Sequence, residues 1–239
     1  MFVKKPASMN IKGIHKTSLI DYPGKISSVL FTGGCNLRCG YCHNADLACN
    51  NCNLQSYSNE DALEFIKKRR GLLDGITISG GEPTLAANID EFIKRIKDLG
   101  LSVKIDTNGF YPTVIERLIG NGLVDYVAVD IKTSREKYQV LTGRRVDYNA
   151  LIRTVNIIRD SPVDYELRTT CIPYYVEMED FKSIKQSIGH VGKYFLQQFD
   201  NMHTLDKAFH DFDPYTPEAL LRFKGYVSTF ADECEIRGI

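Results

Sequence analysis

Three cysteines, Cys35, Cys39 and Cys42, fall in the run Phe31-Thr-Gly-Gly-Cys-Asn-Leu-Arg-Cys-Gly-Tyr-Cys-His-Asn44. Thiolates are soft ligands suited to iron–sulfur clusters and to zinc. A closed zinc site or an electron-carrying cluster wants four ligands, and this spacing supplies three. On a four-iron cluster, three thiolates leave one iron open to a substrate or cofactor. The pattern therefore reads as catalytic chemistry. The bland alternative is a zinc site completed by His43 or Cys49, but zinc sites more often pair Cys-x-x-Cys knuckles.

Further polar groups recur at intervals. In Ser79-Gly-Gly-Glu-Pro83, Gly80 and Gly81 allow backbone to approach a ligand closely, and Glu82 can accept hydrogen bonds from an ammonium group. An ordinary turn is the competing reading. Asp106-Thr-Asn-Gly109 and Asp130-Ile-Lys132 carry two carboxylates that repel if close unless a cation lies between them. Helix capping is the alternative for each Asp, and Asn108-Gly109 is also a common turn dipeptide. Lys132 could simply pair with Asp130. Arg168, inside an apolar strand pattern, needs a partner if buried.

The remaining candidates are plainer. Cys49 and Cys52 form a second Cys-x-x-Cys, read as half a metal site, a redox pair or two incidental thiols. With only Cys171 and Cys234 left over, an auxiliary cluster is not expected. Cys171 suits a small core position. His43, His203 and His210 read as solvent-exposed, and Gln197-Gln198 falls inside the sixth strand pattern.

The elements that must position these groups alternate. Strands are expected at Ser27–Phe31, Gly75–Ser79, Ser102–Asp106, Asp125–Ile131, Val163–Cys171 and Lys193–Phe199. Helices are expected at Asn59–Arg70, Asn88–Leu99, Pro112–Ile119, Tyr148–Arg159, Met178–Ile188 and Pro217–Phe230. Such alternation implies βαβ units and a parallel sheet. Every candidate group lies on or just after the C-terminal half of a strand, where a (β/α) barrel builds its site. The fold expected is α/β, a partial (β/α)6 TIM-type barrel with parallel strands. An open doubly wound sheet is the alternative.

The 239 residues carry 30 basic and 30 acidic side chains, and so lack the basic excess of a nucleic-acid binder. No signal peptide or membrane-length apolar run is read, so a cytoplasmic protein with no membrane partner is expected. Seven cysteines there favour metal or redox chemistry over disulfides. A single domain over residues 1–239 is expected, with residues 1–8 a loose extension and 200–216 an irregular, lid-like loop.

The cysteine motif, Gly80-Gly-Glu-Pro83 and the order of elements resemble the radical S-adenosylmethionine (SAM) superfamily. Within it, Lys12-Gly-Ile-His-Lys-Thr-Ser-Leu-Ile-Asp-Tyr-Pro-Gly-Lys25, Tyr41-Cys-His-Asn44 and Asp106-Thr-Asn-Gly109 resemble the activating enzymes of glycyl-radical proteins, most of all those serving anaerobic ribonucleoside-triphosphate reductase. The resemblance implies that Cys35, Cys39 and Cys42 hold a [4Fe–4S] cluster whose open iron is chelated by SAM. One electron then cleaves SAM to methionine and a 5′-deoxyadenosyl radical, which takes a hydrogen atom from a glycine of a partner enzyme. It also implies SAM contacts at Tyr41 (adenine), Gly80, Gly81 and Glu82 (methionine amino group), Asn108, Lys132 and Arg168. Asp106, Thr107 and Asp130 are implied as ligands of a monovalent cation. A flavodoxin or ferredoxin is implied as electron donor.

Two other functions compete. A radical SAM enzyme acting on a small molecule, like the short 7-carboxy-7-deazaguanine synthases, would need a closed polar pocket that the sequence does not reveal. A non-catalytic iron–sulfur carrier would leave the Gly-Gly-Glu-Pro, Asp-Thr-Asn-Gly and Asp-x-Lys groups without work. The absence of a long C-terminal extension agrees with a barrel mouth open to a peptide loop.

Overall fold

A computed structural model describes residues 8–239. The extension expected over residues 1–8 lies, apart from Ser8, outside the described residues. Among the described residues eight strands occur: β1 Ile11–Ser18, β2 Ser27–Thr32, β3 Gly75–Gly80, β4 Ser102–Thr107, β5 Tyr126–Asp130, β6 Asp164–Cys171, β7 Val191–Gln198 and β8 Ala231–Arg237. Eight α-helices accompany them: α1 Ala45–Ala48, α2 Asn59–Arg69, α3 Ile89–Lys97, α4 Pro112–Gly120, α5 Tyr138–Thr142, α6 Tyr148–Arg159, α7 Met178–Ile188 and α8 Pro217–Val227. The sheet order is β1 through β8, with no switch in direction of progression. That order belongs to a barrel wall; a doubly wound sheet would reverse at a crossover. The α/β class and the parallel strands are as expected. The six expected strands are β2 to β7, to which the structure adds an antiparallel β1 and a parallel β8.

By its contacts the chain forms two compact units. The first comprises the chain to Asn36, Asp46–Thr107 and Arg117–Val127. There β2, β3 and β4 run parallel, and β1 is hairpinned onto β2. Helix α2 begins at a capping box in which Ser58 and Asp61 satisfy each other's backbone N–H, sparing two of the unpaired donors of a helix start. Helix α3 buries Ile89, Phe92, Ile93 and Ile96, the i, i+3, i+4, i+7 stripe of a core-facing helix. Each such side chain, fully buried, contributes roughly 1.5–3 kcal/mol.

The second unit comprises Leu37–Ala45, Asn108–Glu116 and Ala128–Ile239. Strands β6, β7 and β8 pair in parallel. Helix α6 buries Leu151, Val155 and Ile158 on one face, and α8 starts with Thr216 as N-cap and Pro217 in its first turn. The irregular stretch 200–216 contains one short 3-10 turn, Lys207–Asp211, capped by Asp206.

Candidate functional site

In the first unit the end of β3 lies very close to the glycines ahead of Cys35. A Cβ on Gly81 would fall 2.1 Å from the Gly34 carbonyl oxygen, and one on Gly80, whose φ is +110°, 2.6 Å from the Thr32 nitrogen. Only glycine fits either place. The approach is fixed by Gly81 N–H to Thr32 O and Glu82 N–H to Gly34 O, both 2.8 Å. The Glu82 side chain is 2% exposed. Its Oε1 accepts from Thr84 N (3.1 Å), Thr84 Oγ1 (2.5 Å) and Thr107 Oγ1 (2.7 Å). The Gly-Gly-Glu-Pro segment is thus a built structure: Glu82 caps the short 3-10 turn Pro83–Leu85 and holds the end of β4. One residue earlier, Asp106 pairs at 2.5 Å with Lys104, which is 2% exposed and lies over the Tyr126 ring.

A second feature of this unit is the loop that carries Cys49 and Cys52. Both thiols are exposed. The loop is tied back to the start of the cysteine motif by Gly34 N–H to Leu47 O (2.7 Å). Asn10 Nδ2 also bridges Gly33 O (2.7 Å) and Asn50 Oδ1 (3.0 Å).

The second unit gathers Tyr41, Asp130, Lys132 and Arg168. Lys132 Nζ stands 3.0 Å from Asp130 Oδ2 and 6.0 Å from the centre of the Tyr41 ring. Arg168 Nε donates to Asp130 Oδ1 at 2.7 Å. The charges continue to alternate: Arg168 Nη1 lies 3.7 Å from Glu166 Oε1, and Glu166 takes both prongs of Arg237 at 3.0 and 2.9 Å. Arg237 in turn stacks on Phe195, 3.7 Å from the ring centre. Lys132, Asp130, Arg168, Glu166 and Arg237 therefore form one line of alternating sign from the end of β5 to the end of β8.

The protonation states follow from that line. Burial pushes Asp130 upward, but the Arg168 and Lys132 charges overcome it and hold the carboxyl well below its usual range. Burial alone would lower Lys132, yet Asp130 outweighs it and keeps the ammonium charged far above its usual titration. Tyr41 is raised well above an ordinary phenol, chiefly by burial, with Lys132 opposing. Its hydroxyl is therefore a neutral donor. Tyr41 Oη is buried without a hydrogen-bond partner among the described residues, a costly state for a phenol unless a ligand supplies an acceptor.

Asn108 is buried and its Oδ1 accepts from Phe110 N at 3.3 Å. Gly109 has φ +80°, and a Cβ there would strike Leu151 at 2.6 Å, so the Asn-Gly turn packs directly on α6. The implied cation ligands all have protein partners: Asp106 has Lys104, Thr107 has Glu82, and Asp130 has Lys132 and Arg168.

The cysteines divide between the units, Cys35 in the first and Cys39 with Cys42 in the second. Among the described residues no disulfide forms, and no group of three or more His, Cys, Asp or Glu side chains stands assembled for a metal ion. The donor set nevertheless fits an iron–sulfur cluster: three thiols within one short stretch of sequence, with Cys42 N–H bonded to Cys39 O at 3.0 Å to fix the turn that carries those two. Cys171 is fully buried and its thiol is pushed up by burial, as a core residue's should be. Gln198 gives its Nε2–H to Tyr215 O at 2.7 Å.

Sequence reasoning missed Glu166, Arg237 and Lys104. Glu166 and Arg168 alternate with Leu167 within β6, and that alternation was the available signal. Arg237 carried none, because its strand is recognisable only from its pairing.

Comparison with known proteins places these features in a family. The radical SAM superfamily model matches residues 29–188. A candidate glycyl-radical enzyme activating enzyme of Methanocaldococcus jannaschii is 36% identical over 237 residues, covering 96% of each chain. Pyruvate formate-lyase 1-activating enzyme of Escherichia coli K12 is 27% identical over 179 residues, covering 71% of this chain and 70% of its own. Among solved structures, Streptococcus suis SuiB bound to its precursor peptide SuiA superposes with a TM-score of 0.67 at 16% identity over 88% of this chain. This chain spans 48% of that one. QueE from Escherichia coli gives a TM-score of 0.57 at 14% identity, over 96% of this chain and 93% of its own. At such identities these two likenesses speak for the fold. Among the described residues no helix is long and apolar enough to cross a membrane.

Proposed function

The chain belongs to the radical SAM superfamily, and from that premise we propose that it generates a glycyl radical on a partner enzyme, anaerobic ribonucleoside-triphosphate reductase being the partner we favour. It is a radical SAM enzyme, homologous to the glycyl-radical enzyme activases, and the family implies a [4Fe–4S] cluster and SAM. The observation that carries the proposal is the 36% identity extending over 96% of both chains to a candidate activating enzyme. Bound together, cluster and SAM supply a one-electron cleavage that yields a radical able to take a hydrogen atom from carbon.

On this reading Cys35, Cys39 and Cys42 hold the cluster. Gly80 and Gly81 let backbone approach the methionine end of SAM, with Glu82 beside its amino group. Lys132 has three N–H donors, and after serving Asp130 it keeps others for the SAM carboxylate. Tyr41 flanks the adenine, and its buried hydroxyl without an acceptor supports a ligand at that place. Arg168 and Asn108 complete the contacts, and Asp106, Thr107 and Asp130 are the candidates for a monovalent cation. A flavodoxin or ferredoxin would deliver the electron.

The test is anaerobic reconstitution of the cluster, followed by reductant, SAM and a class III reductase. Electron paramagnetic resonance should then show a glycyl radical on the reductase. 5′-Deoxyadenosine formed without any protein radical, with every glycyl-radical partner tried, would favour a small-molecule substrate instead.

A further inference from the structure

We propose that Phe209 is a positioning residue for the cluster-binding turn, pressed onto Gly40 so that the segment 200–216 fixes the Cys39–Cys42 spacing and keeps water from that side of the cluster. The inference rests on the cysteines holding a cluster, not on the identity of the hydrogen donor.

Gly40 lies between two of the three cysteines. A Cβ there would fall 2.2 Å from Phe209 Cε2, and 2.9 Å from both Cδ2 and Cζ. The ring therefore rests on the Gly40 backbone itself, in a space that any side chain at position 40 would take. No positive φ is recorded at Gly40, so contact with the ring is what demands glycine there.

A hydrogen bond locks the same contact. Asp206 N–H donates to Gly40 O at 2.8 Å. Asp206 Oδ1 accepts from Ala208 N at 3.0 Å, and Thr204 Oγ1 donates to Asp206 O at 2.8 Å. The turn that presents Phe209 is thus braced by its own side chains. Phe209 is only 6% exposed although its segment is otherwise irregular. It stacks on Tyr175 at 5.6 Å, and packs against Phe212 at 5.0 Å, Tyr41 at 6.4 Å and Phe199 at 6.5 Å.

The opposite flank of the turn is held as well. Arg38 N–H donates to Thr142 O at 2.8 Å, and Gly143, at φ +61°, lies against the Arg38 carbonyl. Residues 38 to 42 are therefore clamped between the end of α5 and the aromatic cluster. Solvent exposure is one of the factors that set the potential of an iron–sulfur cluster. A wall of aromatic carbon disfavours the reduced form, which carries the extra negative charge, and so keeps the potential low.

The test uses the full chain with its cluster reconstituted anaerobically. Phe209→Ala should still bind iron, because all three cysteines remain. Its cluster should bleach several-fold faster in air, and its midpoint potential, followed by the signal of the reduced cluster, should shift upward. Phe209→Leu should restore most of both. Gly40→Ala should show a larger defect than Phe209→Ala, because its methyl expels the ring and also strains the turn, and Gly40→Ala with Phe209→Ala should fall back to the level of Phe209→Ala, since the new methyl then has room. A Phe209→Ala cluster with the wild-type bleaching rate and potential would overturn the proposal. So would a double variant no better than Gly40→Ala, and this comparison remains decisive if Phe209→Ala alone proves poorly soluble. None of these readouts needs the partner enzyme, so they stand apart from the glycyl-radical assay.

Discussion

Arg168 gives its Nε–H to Asp130 Oδ1 at 2.7 Å, a bond from the middle of β6 to the last residue of β5. A candidate SAM ligand is thereby oriented by a neighbouring carboxylate. Asp130, pinned also by Lys132, is the hinge of the alternating charges.

Replacing Asp130 by Asn should therefore destabilise the apoprotein. Two cations lose one countercharge in a place that is only partly solvated, which breaking a buried pair would make worth about 3–5 kcal/mol and which solvent screening reduces to about 1–3. The sign with pH follows from the depressed Asp130 carboxyl. Its stabilisation is fully present above the unfolded value of about 3.9 and is lost as pH falls below that. Urea titrations of wild type and Asp130→Asn should converge as the pH drops through that range; a gap that stays constant would contradict the assignment.

Glu166 and Arg237 offer a sharper test of packing. Glu166 is buried and held by two parallel bonds from Arg237. Arg237→Ala should cost about 1–3 kcal/mol, because Glu166 is buried but Arg237 is half-buried and Arg168 stays 3.7 Å from the carboxylate. Arg237→Lys should recover only part of this, because an ammonium cannot make the fork or stack flat on Phe195. Equal stability of the Lys and Arg forms would show that the fork contributes little.

The cysteines should divide into two classes by iron and sulfide analysis. Cys39→Ala should abolish both cluster loading and SAM cleavage. Cys49→Ala with Cys52→Ala should keep the wild-type content of about four irons per chain, the complement of a single four-iron cluster. Loss of iron from that double variant would restore the case for an auxiliary metal site.

Gly81→Ala sets a methyl 2.1 Å from the Gly34 carbonyl oxygen, which is backbone and cannot swing away. The cost should reach the upper end of the 1–3 kcal/mol typical of overpacking, with SAM affinity falling in equilibrium binding. Gly120→Ala, at the end of α4 with open space around it, should be neutral or stabilise by about 0.5–1 kcal/mol. Glu82→Ala should spare the cluster and weaken SAM binding. Because Thr84 and Thr107 both donate to Glu82, some stability should go as well.

Much of the parallel sheet was legible beforehand, and the reason is local. Runs such as Gly75-Ile-Thr-Ile78 and Val127-Ala-Val129 are β-branched or small, buried, and closed by polar punctuation. Helices α6 and α7 were readable to the residue from their apolar stripes. Strand β1 escaped because its interior, Gly13 to Thr17, is exposed or half-exposed and shows no alternation. Strand β8 carries Asp, two Glu and Arg in seven residues, and reads as a solvated tail. It becomes a strand through β7 and through Arg237, neither of which is a local signal. The site divides likewise. The motif residues could be named, but whether Arg168 meets a ligand or Asp130 depends on how β5 and β6 lie side by side. Lys104, buried within β4, could not be told from a surface lysine until Asp106 and Tyr126 were placed around it.

The order β1 through β8 also bears on how the chain is made. Each strand finds its partner in the next one to emerge, so pairing can follow synthesis from the N-terminus without waiting for a distant segment. The exception is charge rather than hydrogen bonding. Glu166 is made some seventy residues before Arg237, so on a growing chain its forked partner arrives long after β6 itself. A nascent chain stalled short of Arg237 would hold a nearly finished sheet whose last seam is still open.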